Sequence, residues 1–287
     1  MSYRRRASPL HSARAGAGCA YCLALALAAL VLSNPVALAA IAIAVFGAGI
    51  GAGVGRELRR AALFALPLAL TIMLVNALVS RNGLTVIIRL GDLPLLGHTD
   101  VTLEATVYGA ILGLRAMAMI MCGALYTAAV DPDQVLRLFR RVSFRSALSA
   151  SLATRMVPVL IRDSKRLADA QRCRPGRPPS RLALMRAASS GVLDRALDVA
   201  AALEVRGYGC ARPPQRWRTP YSRHDLHFAA SAIAVIALVV TIRIGGLAPF
   251  AAYPSLHSPA GAGVLAVSAA LVLCALAPFA DRRGIAR

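Results

Sequence analysis

Two short spacings in this chain place residues that can bind a metal ion close together. His224 and His227 are three positions apart, so both imidazoles would lie on one side of a helix. Cys19 and Cys22 form a C-x-x-C pair, a spacing found in zinc sites. Further candidate ligands stand between apolar segments, namely His98, Asp100 and His257. A metal-dependent polytopic membrane enzyme is therefore one function that the sequence allows.

Neither short spacing is completed by further ligands nearby. A structural zinc site needs four suitable ligands, and the Cys19–Cys22 pair lies inside an apolar segment with no second pair nearby. His224 and His227 stand directly before another apolar segment, where a polar cluster commonly begins a helix. We therefore favour structural roles for both pairs, and we predict no metal site, no cofactor and no catalytic residue.

The lysine content bears on nucleotide chemistry. The chain has a single lysine, Lys165, and Arg166 follows it. A P-loop needs a lysine directly before a serine or threonine, because that lysine contacts the β- and γ-phosphates of the nucleotide. The sequence also contains no H-E-x-x-H motif and no G-x-S-x-G motif. This chain therefore does not hydrolyse ATP by the P-loop route, and we expect a non-catalytic protein.

Apolar residues make up 57% of the 287 positions and are concentrated in blocks. The mean hydropathy of +0.61 is higher than a soluble domain usually shows. Most blocks approach the roughly 20 residues that cross a bilayer as a helix. The blocks are Cys19–Leu32, Val36–Gly55, Ala61–Val79, Leu103–Val130, Leu226–Ile244 and Ala260–Phe279. The pattern predicts an all-α polytopic membrane protein with about six spans, although the Asn34-Pro35 break could also turn a re-entrant hairpin.

The basic residues indicate the orientation of these spans. If the N-terminus is cytoplasmic, 29 of the 33 Lys and Arg residues fall on the cytoplasmic side. Short cytoplasmic loops carry such an excess, so we expect both termini in the cytoplasm, in an inner or plasma membrane. The net charge of +20 could also indicate nucleic acid. Because topology alone accounts for the charge, we predict no nucleic-acid partner.

One arginine lies at depth in a predicted span. A charge there costs a few kcal/mol unless it is paired or solvated, on the order of 3 kcal/mol at the centre of a helix. Glu104 precedes Arg115 by about three helical turns, which is too far for a direct pair. A contact between helices and a role in gating or partner binding are both open for Arg115.

A long basic segment separates the fourth span from the fifth. We predict an N-terminal membrane region over 1–130, amphipathic helices over 131–225 and a C-terminal membrane region over 226–287. Asp131-Pro132-Asp133 is typical of a helix start. Apolar spacing predicts a second helix from Ser149 to Arg174 and a third from Ser189 or Ser190 to Arg206. The small side chains of Ala200 to Ala202 would let the last two helices cross closely.

The second and third helices share an ending. Arg174 stands before Pro175-Gly176, and Arg206 stands before Gly207. Cations favour helix C-termini by about 0.3 to 1 kcal/mol, which would explain either arginine alone. The repetition, in a chain without a P-loop, favours a shared role in which both arginines pair with acidic groups of a partner.

These endings resemble a known family. Ala-Gln-Arg-Cys-Arg-Pro-Gly at 170–176 and Ala-Leu-Glu-Val-Arg-Gly-Tyr at 202–208 are similar to the paired Ala-Arg-Gly signatures of the T component of energy-coupling factor (ECF) transporters, the EcfT/CbiQ family. The resemblance extends to the stretch at 156–163, to Asn-Ala-Leu at 76–78 and to Asp-Pro-Asp at 131–133. Both signature arginines are present, whereas both alanines and one glycine are replaced.

The resemblance implies a function. In this family a membrane T component couples two cytoplasmic ABC ATPase subunits to a membrane-embedded S component, which captures a vitamin or a transition metal ion. It implies a cytoplasmic pair of crossing coupling helices that contact the ATPases. The residues expected at that contact are Arg172, Arg174, Glu204, Arg206 and Gly207. The expected partners are therefore the ATPases, the S component and the lipid bilayer.

Overall fold

The computed structural model describes residues 6–80, 85–93, 97–139, 144–173, 181–207, 221–246 and 261–281. Helices dominate the described residues. In chain order they are α1 (Pro9–Ser12), α2 (Ala15–Val31), α3 (Pro35–Gly51), α4 (Gly55–Val79), α5 (Leu103–Ala129), α6 (Pro132–Phe139), α7 (Phe144–Arg172), α8 (Arg181–Val205), α9 (Arg223–Gly245) and α10 (Ala262–Leu276). A 3-10 turn, Ala277–Phe279, follows α10, and two strands, β1 (Val86–Leu93) and β2 (Gly97–Thr102), lie between α4 and α5.

Six of these helices contain long apolar stretches. Within the described residues, α4, α5, α9 and α10 with its 3-10 turn are long and apolar enough to cross a membrane. α2 and α3 are apolar but shorter, at 17 residues each. Such a helix rises about 25 Å, close to the thickness of the hydrocarbon layer. The predicted all-α polytopic membrane protein is confirmed, with four helices of spanning length and two shorter apolar helices among the described residues.

The first two apolar helices are separated at the predicted break. Pro35 is the first residue of α3, where its missing amide hydrogen removes no helical bond. The buried Asn34 side chain accepts a hydrogen bond from the Val36 amide at 3.0 Å. This cap satisfies one of the free amides at the helix start and gives the buried Asn34 side-chain oxygen a partner.

The chain forms two compact units. One, which we call the membrane unit, contains residues 1–135 and 221–287; the other, the loop unit, contains residues 136–220. In the membrane unit α2 packs against α5 and α9, and α3 packs against α10. Three aromatic rings, those of Tyr21, Phe228 and Phe279, meet edge to face with centroids 5.2 to 6.2 Å apart. The buried Tyr21 hydroxyl donates to the Ala275 carbonyl at 2.8 Å, so no polar atom of this ring is left without a partner.

Two glycines bring α5 against the backbone of α4. A Cβ atom on Gly113 would lie 2.7 Å from the Ala69 carbonyl oxygen, and one on Gly109 would lie 2.9 Å from the Met73 backbone. Only a residue without a side chain fits this approach. The sequence analysis missed this contact, although G-x-x-x-G inside an apolar segment was the signal that could have revealed it.

The β-hairpin between α4 and α5 was not predicted either. β1 and β2 pair antiparallel, with Val86 opposite Thr102 and Leu93 opposite Gly97. At the base of the hairpin the buried Glu104 carboxylate accepts hydrogen bonds from the Thr85 amide at 3.2 Å and the Thr85 hydroxyl at 2.8 Å. Glu104 therefore fixes the hairpin to the start of α5.

The intramembrane arginine makes a contact between helices. Arg115 Nη2 on α5 donates to the Leu32 carbonyl at 3.0 Å, and Leu32 directly follows the last residue of α2. Carbonyls at a helix C-terminus carry partial negative charge and have no partner within the helix. Of the two alternatives left open for Arg115, the structure shows the contact between helices.

Candidate coupling site

The loop unit is built from two long helices. α7 begins at Phe144, five residues before the predicted start at Ser149, and it ends at Arg172. Residues 174–180, which contain the first of the two predicted arginines, Arg174, lie outside the described residues. The role of Arg174 therefore stays a prediction.

The start of the third predicted helix was wrong. α8 begins at Arg181, well before the serines expected to cap it. Ser189 Oγ donates to the Arg186 carbonyl at 2.8 Å, and Ser190 Oγ donates to the Ala187 carbonyl at 3.2 Å. A serine hydroxyl can bond back to its own helix in this way, so the two serines lie within α8 instead of beginning it.

The C-terminal end of α8 is where the sequence predicts it. Val205 is its last residue, and Gly207 takes a φ of +77°, the left-handed conformation that favours glycine. The Gly207 amide donates to the Glu204 carbonyl at 2.8 Å and closes the turn. Glu204, Arg206 and Gly207 are all exposed. Among the described residues no carboxylate forms an ion pair with the Arg206 guanidinium, which is thus free to bind another molecule.

Arg172 differs from Arg206 in this respect. Its guanidinium lies 3.7 Å from the Asp169 carboxylate on the same helix, and both side chains are largely exposed. An exposed pair of this kind contributes little stability, about 0 to 1 kcal/mol, and leaves the arginine able to change partner.

An ion pair joins the two long helices. Arg195 Nη1 on α8 lies 2.6 Å from Asp163 Oδ2 on α7. The hydrogen bond from Arg195 holds the pKa of the Asp163 carboxyl below its usual value, and the positive charges of Arg195, Arg166 and Arg162 act in the same direction. Both carboxylate and guanidinium remain about one-third exposed, so solvent weakens the pair without breaking it.

This pair should make the α7–α8 contact depend on acid. Because the folded-state pKa of Asp163 is lowered, its contribution is present at neutral pH and is lost as pH falls below about 4, through the folded pKa. Spin labels on α7 and α8 should report a wider distance distribution in acid. Asp163→Asn should give that wider distribution already at pH 7. A variant that still responds to acid as the wild type does would contradict this assignment.

Apolar side chains form an exposed surface on α8. Four of them, which we call the α8 stripe, are each at least 60% exposed: Leu182, Met185, Leu193 and Leu197. Soluble surfaces rarely expose so many large apolar side chains along one helix. The α8 stripe is therefore a candidate binding surface on the helix that ends at the Arg206 turn.

Of the two candidate metal ligands at the start of α9, His224 is buried and His227 lies beside a carboxylate. Asp225 completes a capping box at the start of α9, as the predicted helix-starting role requires, and His227 Nδ1 lies 3.9 Å from the Asp281 carboxylate. Cys19 and Cys22 are free thiols on α2. No three His, Cys, Asp or Glu side chains converge as metal ligands in the part of the chain that the structure describes. His98 and Asp100 lie in β2, and His257 lies outside the described residues.

Comparison with known proteins agrees with the predicted resemblance. The model of the CbiQ family, described as cobalt transport protein, matches residues 6–216. A putative ABC transporter ATP-binding protein of Bifidobacterium longum (strain NCC 2705) is 26% identical over 188 residues, which cover 58% of this chain and 23% of that protein. This chain thus spans about a quarter of the length of that relative. Because the family match covers well over half of the chain, this multi-pass membrane protein belongs to the CbiQ family of cobalt transport proteins.

Proposed function

We propose that this chain is the transmembrane coupling subunit, or T component, of an ECF-type ABC importer. It would link two cytoplasmic ABC ATPase subunits to a membrane-embedded S component. The observation that carries the proposal is the end of α8, where an exposed arginine without an ion-pair partner among the described residues precedes a glycine turn. An arginine held at a fixed helix end can bind a carboxylate in a planar, bidentate way.

The absence of a P-loop in this sequence supports the assignment of ATP hydrolysis to a partner protein. The chain's single lysine is not followed by serine or threonine, so a partner has to supply the P-loop that hydrolyses ATP. The Bifidobacterium relative supports this assignment, because it is named as an ATP-binding protein and more than three-quarters of it lies outside the match.

In this mechanism α7 and α8 transmit movement of the ATPases to the rest of the complex. ATP-driven closure of the ATPase pair would push the ends of both helices at Arg174 and Arg206, with Arg172, Glu204 and Gly207 beside them. The α8 stripe would meanwhile lie against an apolar partner surface and transmit the movement to the S component. The Asp163–Arg195 pair keeps the two helices together, so that they respond as one body. Substrate would be released on the cytoplasmic side, where both termini of the chain would also lie.

The substrate is selected by the S component and is a transition metal ion or a vitamin. The family description favours the metal ion, and Co²⁺ and Ni²⁺ are the first substrates to examine. For this subunit the metal is cargo, and we propose no resident metal or cofactor.

A reconstitution experiment tests the function. The chain is co-expressed with the ABC ATPase and S-component proteins of its own organism, and the complex is purified through a tag on this chain. We expect both ATPases to co-purify and ATP-dependent uptake of radioactive Co²⁺ or Ni²⁺ into proteoliposomes, with labelled vitamins assayed in parallel. Purification of this chain without ATPases, under conditions where the chain is folded, would overturn the proposal.

A further inference from the structure

The start of α6 is attached to the first residue of α2. The Gln134 side-chain oxygen accepts a hydrogen bond from the Ala15 amide at 3.4 Å. The Gln134 amide group donates to the Asp131 carboxylate at 3.2 Å, which fixes the glutamine side chain. Gln134 stands two positions before the loop unit begins. It therefore belongs to residues 131–135, where the chain leaves the membrane unit, and we call this segment the leaving stem.

The start of α9 is attached to Arg14, the residue directly before Ala15. Asp225 Oδ1 accepts a hydrogen bond from the Arg14 amide at 2.5 Å, and Arg14 Nε lies 3.4 Å from Asp225 Oδ2. The Arg14 guanidinium also lies 4.1 Å above the centre of the Tyr221 ring. Tyr221 is the first residue after the loop unit. These contacts therefore hold residues 221–226, where the chain returns to the membrane unit, and we call this segment the returning stem.

Both stems therefore converge on two consecutive residues at the start of α2. The amides of Arg14 and Ala15 lie at the helix start, where they have no partner within the helix, and each is satisfied by a side chain from a different stem. We call this group, which consists of Arg14, Ala15, Gln134, Tyr221 and Asp225, the stem clamp. All five residues belong to the membrane unit.

The contact at the returning stem is the stronger of the two. The Asp225 side chain is only 6% exposed and takes part in a charge-assisted contact, whereas the Gln134 contact is neutral and longer. The same carboxylate accepts from the Ser222 amide at 2.9 Å, so Asp225 ties the returning chain, α9 and α2 together at one point. A force on the returning stem therefore acts on α2, which packs against α5 and α9 in the centre of the membrane unit.

We propose that the stem clamp transmits movement of the loop unit to α2, with Asp225 and Arg14 as the positioning residues. This inference rests on the proposed function, since it concerns how ATP hydrolysis by the partner is coupled to transport. A second ion pair of the same type offers a comparison: Arg6 pairs with Glu57 in the first turn of α4. α4 does not adjoin the loop unit in the chain. The Arg6–Glu57 pair therefore stabilises the same helix bundle but does not connect α2 to either stem.

Two variants separate transmission from stability. In the assembled complex, the double variant Asp225→Asn with Gln134→Leu should still bind the ATPases and hydrolyse ATP at close to the wild-type rate. Substrate transported per ATP should fall about ten-fold, the size of a typical coupling free energy between sites. The matched control Glu57→Gln should leave that ratio unchanged. An unchanged ratio in the double variant, or an equal fall in the control, would overturn the proposal.

A milder variant covers the case in which the double variant does not fold. Arg14→Met removes the ion pair and the contact with the Tyr221 ring but keeps the backbone amide that Asp225 accepts from. We expect a smaller fall in transport per ATP, restored by Arg14→Lys. If Arg14→Met and Arg14→Lys each lost ATP hydrolysis together with transport, Arg14 would be needed for assembly of the complex. That result would contradict a positioning role.

Hydrogen exchange tests the clamp independently of its proposed function. In the full-length chain alone, in detergent, the Ala15 amide and the segments at 131–135 and 221–226 should exchange faster in the double variant, but not in Glu57→Gln. Unchanged exchange at both stems would show that the clamp does not hold them. A wild-type chain that binds no ATPase would instead refute the proposed function and leave this result standing.

Discussion

Charge reversal of Arg206 to glutamate is expected to weaken binding of the ATPase subunits by about thirty-fold or more, while membrane insertion and folding stay normal. A well-placed interface arginine commonly contributes about 2 kcal/mol or more, and reversal adds repulsion from the carboxylate that it would have bound. Folding should be spared because the Arg206 side chain is exposed and has no ion-pair partner among the described residues. Quantitative pull-down at several ATPase concentrations measures the change.

The matched control for this change is Arg155→Glu. Arg155 is an exposed arginine in the interior of α7, away from both helix ends and from the α8 stripe. It changes the net charge by the same amount, so a general effect of charge would appear equally in both variants. Equal affinity for the Arg206→Glu and wild-type chains would remove Arg206 from the coupling site.

The same prediction applies to Arg174, from its sequence alone. Arg174→Glu should weaken ATPase binding, and the double variant with Arg206→Glu should lose more than either single variant. Should Arg174→Glu bind normally while Arg206→Glu does not, only the second signature would carry the contact.

The membrane helices were predictable because their signal is local. Bilayer thickness sets the length of an apolar segment, so composition alone indicated the spans, and Asn34-Pro35 indicated where two of them separate. Helix starts were less predictable, because the same residue types serve more than one purpose. Ser189 and Ser190 have the composition of a cap, yet their hydroxyls bond back within α8.

Other features depend on which segments meet in space, which a single sequence does not state. The eight residues of β1 mix apolar side chains with an arginine and an aspartate, and a short segment of this kind does not distinguish a strand from a loop. The same is true of the candidate coupling site. Its arginines were identified from their repeated position before helix breakers, whereas the stem clamp joins residues more than 200 positions apart and left no local pattern.

Replacement of Gly113 by alanine is expected to be strongly destabilising, although alanine is the best helix former. The added Cβ atom would lie 2.7 Å from the Ala69 carbonyl oxygen and 3.2 Å from the Ala69 Cα atom, which are backbone atoms that cannot rotate away. α4 would have to move outward, and overpacking of this kind costs about 1 to 3 kcal/mol. Only 11% of the apolar stretch of α4 is buried, so few other contacts could compensate.

For Gly123→Ala, on the same helix, we expect no loss of stability. A Cβ atom there would meet nothing within 4 Å, so the change should be neutral or stabilising by up to about 1 kcal/mol through helix propensity. Thermal unfolding in detergent should therefore shift in opposite directions for the two substitutions. Gly109→Ala should behave like Gly113→Ala, because its Cβ would lie 2.9 Å from the Met73 backbone. If Gly113→Ala proved as stable as Gly123→Ala, α4 and α5 would not approach as closely as the structure places them, and the G-x-x-x-G pattern would have no packing role here.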